Sequence, residues 1–280
     1  MTTVVVIAQG EMGAGLGRRL GERGAWVVTS LAGRSPASAA RAAAAGMEAI
    51  DDDRRMVEAA DFVLSVVPPG EARALAERLA PALLASAKKP IFVECNAISP
   101  RRVAEIAPII AATGCAFVDG GIIGSPPKPE TAGPRIYVSG PEAARVAVLR
   151  DHGIDIRVLE GEVGMASALK CAYASLTKGV TAIGAAVMLG AMRNGVAEAL
   201  KAEFASSQPM LAPHIAREVP RMYPKAYRWV AEMEEIADFL SADPGARDIY
   251  LGAARLYEQV AAGGETVALL DRFIGRSGGA

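Results

Sequence analysis

From Val4 to Val158 the chain alternates short apolar runs with longer segments of helical period, and after about Gly161 the alternation stops. The runs are Val4–Ala8, Trp26–Leu31, Phe62–Val67, Ile91–Cys95, Ala116–Val118, Ile136–Ser139 and Asp155–Val158. Between them lie Gly13–Gly24, Ser35–Gly46, Gly70–Ala85 and Pro100–Thr113, rich in Ala, Leu, Arg and Glu. A parallel neighbour strand is reached only through a crossover, so strands that alternate with helices form β-α-β units. The pattern predicts an α/β fold that begins with a doubly wound, Rossmann-type parallel sheet. Right-handed crossovers then set the loops after the strands along one rim, where ligands bind. Beyond Gly161 the segments are helical only: Met165–Arg193, Val196–Ser206, Met210–Arg221, Ala226–Leu240, Gly245–Ala261 and Glu265–Ile274. A chain of 280 residues is expected to form two domains, 1–162 and 163–280. The second is all-α and opens with a long interdomain helix.

The first strand leads into A-Q-G-E-M-G, Ala8–Gly13. In a dinucleotide-binding turn one glycine permits the tight bend, a second lets backbone approach the pyrophosphate, and a third allows close helix packing. Gly10 and Gly13 fill the second and third roles, with Glu11 and Met12 between them at the helix start. Ala8 stands at the first glycine position, which narrows the turn by one methyl but is tolerable at negative φ. The second strand ends T-S-L-A-G-R-S, Thr29–Ser35. No acidic residue is there for a ribose 2′-hydroxyl, whereas Gly33, Arg34 and Ser35 offer a guanidinium and a hydroxyl suited to a 2′-phosphate. The expected cofactor is NADP rather than NAD.

With 30 basic and 31 acidic residues and a net charge of −1, nothing marks the chain for a nucleic-acid partner. Three dispersed cysteines (Cys95, Cys115, Cys171) and two histidines (His152, His214) make no metal-ligand spacing. Buried reduced thiols, a cytoplasmic location and no bound metal are the expectation. No basic flank precedes Val4, so no signal peptide is read there. Gly179–Met192 is apolar on all sides, yet shorter than the about 20 residues that a bilayer requires. Such a stretch is expected inside protein, which points to a homodimer through the helical domain rather than a membrane.

Further motifs follow in order: S-V-V-P-P (Ser65–Pro69), E-C-N-A-I-S-P (Glu94–Pro100) and D-G-G-I-I-G-S (Asp119–Ser125). Together with the opening turn and G-R-S they resemble the β-hydroxyacid dehydrogenase family. It includes 6-phosphogluconate and 3-hydroxyisobutyrate dehydrogenases and has imine reductases among its relatives. The resemblance runs along the whole chain and is strongest through residue 180. Lys225–Ile236, K-A-Y-R-W-V-A-E-M-E-E-I, resembles a subgroup whose second domain has no assigned function. The resemblance implies that Val67 and Pro68 line the nicotinamide ring and that Asn96 lies near the cofactor, where the family often has serine. It also implies that the Asp119–Ser125 turn meets the substrate. The family's serine there falls at Ile123, so backbone groups of Gly120, Gly121, Ile122, Ile123 and Gly124 are expected to stand in.

The segment G-M-A-S-A-L-K-C-A-Y-A-S-L-T-K-G, Gly164–Gly179, matches the family's catalytic helix. Lys170 takes the place of its proton-shuttling lysine, while the asparagine four residues on is replaced by Ala174. Lys170, Tyr173, Thr177 and Lys178 are expected to share a face. A hydroxyl or a second ammonium would then orient the shuttle. Burial and a neighbouring cation bring a lysine to about 7–8, useful for proton transfer. His214 is read as a surface or packing residue, and Tyr227 and Trp229 as helical core. Lys225 and Arg228 lie on a solvated face or reach an anionic group. These readings give an NADP-dependent oxidoreductase acting on a small, anionic hydroxyacid or carbonyl compound. The alternatives are an imine (C=N) reductase and an NADP-binding sensor or scaffold without turnover.

Overall fold

Val4, Val5, Val6 and Ile7 are all buried, as a central strand covered on both faces requires. A computed structural model of the chain describes residues 1–128 and 130–276. In order, the first part holds β1 (Thr3–Ile7), α1 (Glu11–Glu22), β2 (Trp26–Thr29), α2 (Pro36–Ala44), β3 (Glu48–Ala49) and α3 (Asp53–Ala59). It continues with β4 (Phe62–Ser65), α4 (Ala72–Ala85), β5 (Ile91–Glu94), α5 (Pro100–Ala111), β6 (Phe117–Ile123), β7 (Arg135–Ser139), α6 (Ala143–Val146) and β8 (Asp155–Val158). Helices α7 (Met165–Arg193), α8 (Ala197–Ser207), α9 (Leu211–Met222), α10 (Ala226–Phe239), α11 (Pro244–Ala262) and α12 (Gly264–Ile274) complete the chain. The chain divides into two compact units, 1–170 and 171–280, with the boundary inside α7.

The strands form one sheet in the order β3-β2-β1-β4-β5-β6-β7-β8. Alternate residues of β1 serve opposite cores. Val4 and Val6 pack with Leu16 and Leu20 of α1, while Val5 and Ile7 pack with Leu75 and Leu79 of α4. The sheet is the predicted doubly wound α/β architecture, with the chain reversing direction across it between β1 and β4. That reversal is where ligands bind in such sheets.

Several features depart from the sequence reading, the short α6 among them. β3 and α3 were not anticipated, because β3 is two exposed residues and α3 buries only Met56 and Val57. Neither leaves a hydrophobic period to read. β6 runs on through G-G-I-I to Ile123, where a glycine pair masks the strand. β6 and β7 pair antiparallel, and none of the described residues between them forms the crossover helix that a parallel neighbour needs.

In the helical unit, Ala182, Ala185, Met188 and Leu189 of α7 share a core with Met233, Ile236, Tyr257, Leu270 and Phe273. Trp229 packs edge-on to Tyr257, ring centroids 5.3 Å apart. Tyr227, expected in this core, is 67% exposed instead. His214 lies exposed beside Arg217. Gly179–Met192 proves to be part of a 29-residue helix, and it is not buried all round. Ile183 and Val187 stay 58% and 40% exposed. Among the described residues, α7 is the one helix long and apolar enough to cross a membrane by length and composition. One of its faces is built into the helical core.

Candidate cofactor and active site

The turn after β1 is shaped for close approach. A side chain at Gly13 would collide with the carbonyl of Ala8, so the bare backbone of α1 rests on the strand end. Gly10 precedes the helix at φ −71° and caps it without a side chain. Nothing lies within 4 Å of where a Gly10 Cβ would stand. The first amides of α1, from Glu11 and Met12 onward, are thus available to an anion, and the helix dipole favours one.

At the end of β2, Gly33 takes a positive φ of 69° in the turn closed by Arg34 N–H to Leu31 O at 2.9 Å. The Arg34 guanidinium stands 3.4 Å from Glu71. Ser35 is the N-cap of α2, its hydroxyl accepting from Ser38 N–H. Both side chains border the rim, but each already has a partner within the chain. The sequence reading missed Arg41. Its Nε donates to Gln9 O at 2.8 Å and its Nη2 to Ser38 Oγ at 3.1 Å, tying α2 to the glycine turn. The three-residue spacing of Ser35, Ser38 and Arg41 was the available signal. Asp51, remote in sequence, accepts from Leu31 N–H at 2.8 Å and so brings an acid to this end of β2.

Beyond β4 and β5, Val67 is buried and Pro68 exposed. Asn96 is buried and donates from Nδ2 to Ser65 Oγ at 2.8 Å. Among the described residues its Oδ1 has no partner, nor has Gln9 Oε1 on the same rim. Glu94 Oε1 accepts from Asn96 N–H at 3.0 Å, while Oε2 has no partner among the described residues. Burial pushes the Glu94 carboxyl up to about 8; the hydrogen bonds from Asn96 and Ser65 oppose the shift and nearby Asp119 adds to it. Glu94 is paired across the sheet with Asp119, whose pKa burial also raises, against hydrogen bonds from Ser167, Ser139 and Gly164. Four donors converge on Asp119, so of the pair Asp119 holds the charge and Glu94 the proton. Cys95 is pushed well above an ordinary thiol by burial, then by Glu94 and Asp119. It is inert as a nucleophile.

Lys170 lies half-buried on the second turn of α7, where its Cβ stands 3.1 Å from the position a Gly121 Cβ would take. The same hypothetical Cβ would come within 2.6 Å of Ala166 O, so glycine lets the helix seat on β6. Residues 120–123 are strand rather than turn, and their backbone is paired with β7 from Gly120↔Val138 to Ile123↔Arg135. Only the β5 side lies beyond a ladder, which ends at Glu94↔Asp119. That corrects the expectation of a substrate-binding turn from Asp119. The turn begins at Gly124, whose φ is 129°, and Ile123 is buried.

The expected polar face C-terminal to Lys170 is not assembled as such. Tyr173 is exposed, and Thr177 donates its hydroxyl to Tyr173 O at 3.2 Å. Lys178 is ion-paired with Glu232 of α10 and lies 5.0 Å from the Trp229 ring centroid. Its charge is neutralised within the helical unit. Ala174 is buried.

An open Gly10, the close contact at Gly13, uncapped helix amides and the buried unpartnered Asn96 Oδ1 all fit a dinucleotide along this rim. Comparison with known proteins agrees. Residues 191–260 match a domain of unknown function (DUF1932). An uncharacterized 28.5 kDa protein of Methanothermus fervidus is 30% identical over 157 residues, a stretch covering 56% of this chain and 58% of that relative. Conserved protein MTH1747, of unknown function and described as structurally similar to 3-hydroxyacid dehydrogenases, is 29% identical. Its TM-score is 0.70, over 96% of this chain and 99% of that one. The fold is shared with Mycobacterium tuberculosis 3-hydroxyisobutyrate dehydrogenase at 19% identity and TM-score 0.72, over 97% and 99% of the chains. It is shared also with an imine reductase from Myxococcus stipitatus in complex with NADP+, at 20% identity and TM-score 0.55, over 98% and 100%. Residues 3–150, more than half of the chain, match the NAD binding domain of 6-phosphogluconate dehydrogenase, and the protein belongs to that family.

Proposed function

We propose that this chain, an NAD(P)-dependent oxidoreductase by family and fold, uses NADP to reduce or oxidise a small anionic hydroxyacid or carbonyl compound. The observation that carries the reading is the seating of Lys170 against β6 at Gly121, beyond the end of the β5 ladder. Such sheets bind ligands beyond the carboxyl ends of their strands, which supports a role for a lysine seated there. The nicotinamide, when bound, supplies the hydride chemistry. The chain's own part is to hold the dinucleotide on the α1 amides and flank the ring with Val67, Pro68 and Asn96. Lys170 gives a proton to the developing alkoxide, or takes one in oxidation. Its positive charge also attracts an anionic substrate group.

Arg34 and Arg41 favour a 2′-phosphate, each contact being worth about 1.5–3 kcal/mol, or roughly 10- to 150-fold. Fluorescence titration should therefore give a lower Kd for NADPH than for NADH, with the gap reduced in Arg34→Ala. Equal constants would remove NADP from the reading. Reduction of C=N is the second reading, favoured by the apolar Ala174 and Ile123 where the family has polar groups. NADPH oxidation across β-ketoacids and cyclic imines separates the two. NADPH binding with turnover of neither class would leave a sensor.

The assembly we propose is a homodimer through the helical unit. Tyr173, Leu176, Ile183 and Val187 stand exposed along α7 at spacings of three, seven and four residues, a stripe suited to a second helix. Leu176 alone is 68% exposed. Light scattering at micromolar concentration should give twice the 29.0 kDa chain mass. The mass of a single chain would refute the dimer.

A further inference from the structure

We propose that Asp119 is the positioning residue for Lys170: from β6 its carboxylate grips the first turn of α7 and so fixes where the next turn presents the lysine. Asp119 is fully buried. Its Oδ2 accepts from Gly164 N–H at 3.0 Å, Ser167 N–H at 2.9 Å and Ser139 Oγ–H at 3.1 Å. Its Oδ1 accepts from Ser167 Oγ–H at 2.5 Å. Ser139 Oγ in turn accepts from Ala166 N–H at 3.0 Å. Three amides at the start of α7 are thereby satisfied by side chains of β6 and β7.

An ordinary helix is capped by the residue just before it, which fixes the helix only to its own chain. Here that stretch is Val163-Gly164, with no side-chain oxygen to offer. The sheet provides the cap instead, so the helix start is fixed to the sheet. A carboxylate at a helix N-terminus also interacts favourably with the helix dipole. Ser167 and Lys170 are three residues apart and share a face. Asp119 and Gly121 are two apart and point to the same side of β6. That one side of β6 thus meets α7 twice, through a charged grip at Ser167 and through bare backbone at the Cβ of Lys170. The spacing D-x-G on the strand matches S-x-x-K on the helix.

The proposal rests on Lys170 as the proton shuttle, and its test keeps the two claims apart. Wild type, Asp119→Asn and Ser167→Ala are acetylated with trace acetic anhydride at pH 9, and each lysine is quantified by peptide mass spectrometry against Lys201. Once the first turn is loosened, the half-buried Lys170 gains exposure. Its relative acetylation should rise about threefold or more in Asp119→Asn and by a smaller factor in Ser167→Ala. NADPH affinity should stay the same in both. Unchanged Lys170 acetylation in both variants overturns the proposal, and if Asp119→Asn fails to fold, Ser167→Ala decides alone.

With a β-ketoacid or imine that the wild type reduces, Asp119→Asn should lower kcat by about 10- to 100-fold through misplacement. In the Lys170→Ala background the same change should cost nothing further, because Asp119 acts through the lysine. An equal loss in both backgrounds means general structural damage and rejects the positioning role. Full turnover in Lys170→Ala alone rejects the shuttle instead, and the acetylation result still judges the grip.

Discussion

Lys170→Ala is expected to lower kcat by about 10²–10⁴, the usual cost of losing general acid–base help. NADPH affinity should hardly move, because in the proposed binding mode the phosphates lie at the Gly10–Gly13 turn, whereas Lys170 is seated on β6. The loss should therefore sit in kcat, the mark of an interaction made in the transition state. Lys178→Ala should leave the pH profile of kcat/KM in place, since Glu232 already neutralises that ammonium. Steady-state kinetics of the two variants on one substrate is the check. Near-wild-type turnover in Lys170→Ala would make imine reduction the better reading, because an iminium carries its positive charge before hydride arrives and needs less from an acid.

The second large effect concerns Glu94. Burial pushes its folded carboxyl up to about 8, against 4.5 when exposed. The folded state therefore keeps a proton that the unfolded state has released. Stability from this group is fully present below about pH 4.5, declines as pH rises, and is lost once pH passes about 8. A shift of that size corresponds to an upper bound of about 5 kcal/mol, with relaxation reducing it to about 2–4 kcal/mol. Glu94→Gln has no proton to lose and keeps an acceptor for Asn96 N–H. Urea unfolding from pH 5 to pH 9 should show wild type weakening across this window, while the difference from Glu94→Gln grows in the variant's favour. Parallel curves for the two proteins would mean that Glu94 is not held protonated. A kinetic limb near pH 8 that vanishes in Glu94→Gln would likewise belong to this carboxyl and not to the lysine.

The elements legible in the sequence were those with a hydrophobic period of their own. Val4–Ile7 and Phe62–Ser65 read as strands because every residue is apolar or small and buried. The 29 residues of α7 read as one helix because proline and solvent-exposed breaks are lacking. β3 and the G-G part of β6 escaped because their strand character comes from neighbours, Val28↔Glu48 and Gly121↔Tyr137, and not from their own side chains. The site divided in the same way. Gly10, Gly13 and Lys170 were visible through local spacing. Arg41 on Gln9 O, Lys178 on Glu232 and Asp119 on Ser167 join residues 32, 54 and 48 positions apart. No single-sequence pattern reaches that far. Tyr227 was misplaced because aromatic character favours a core without deciding which side of α10 faces it.

The central claim, that a dinucleotide lies along the rim at the first turn, is tested most directly by titrating NADPH into wild type and Gly10→Val. Gly10 has an ordinary φ of −71° and open space where a side chain would go. Valine there should leave the thermal midpoint within a few degrees of wild type while obstructing approach to the helix amides. The account predicts that NADPH affinity falls by about 100-fold or more, roughly 2.7 kcal/mol. A folded Gly10→Val protein that binds NADPH as tightly as wild type would contradict it.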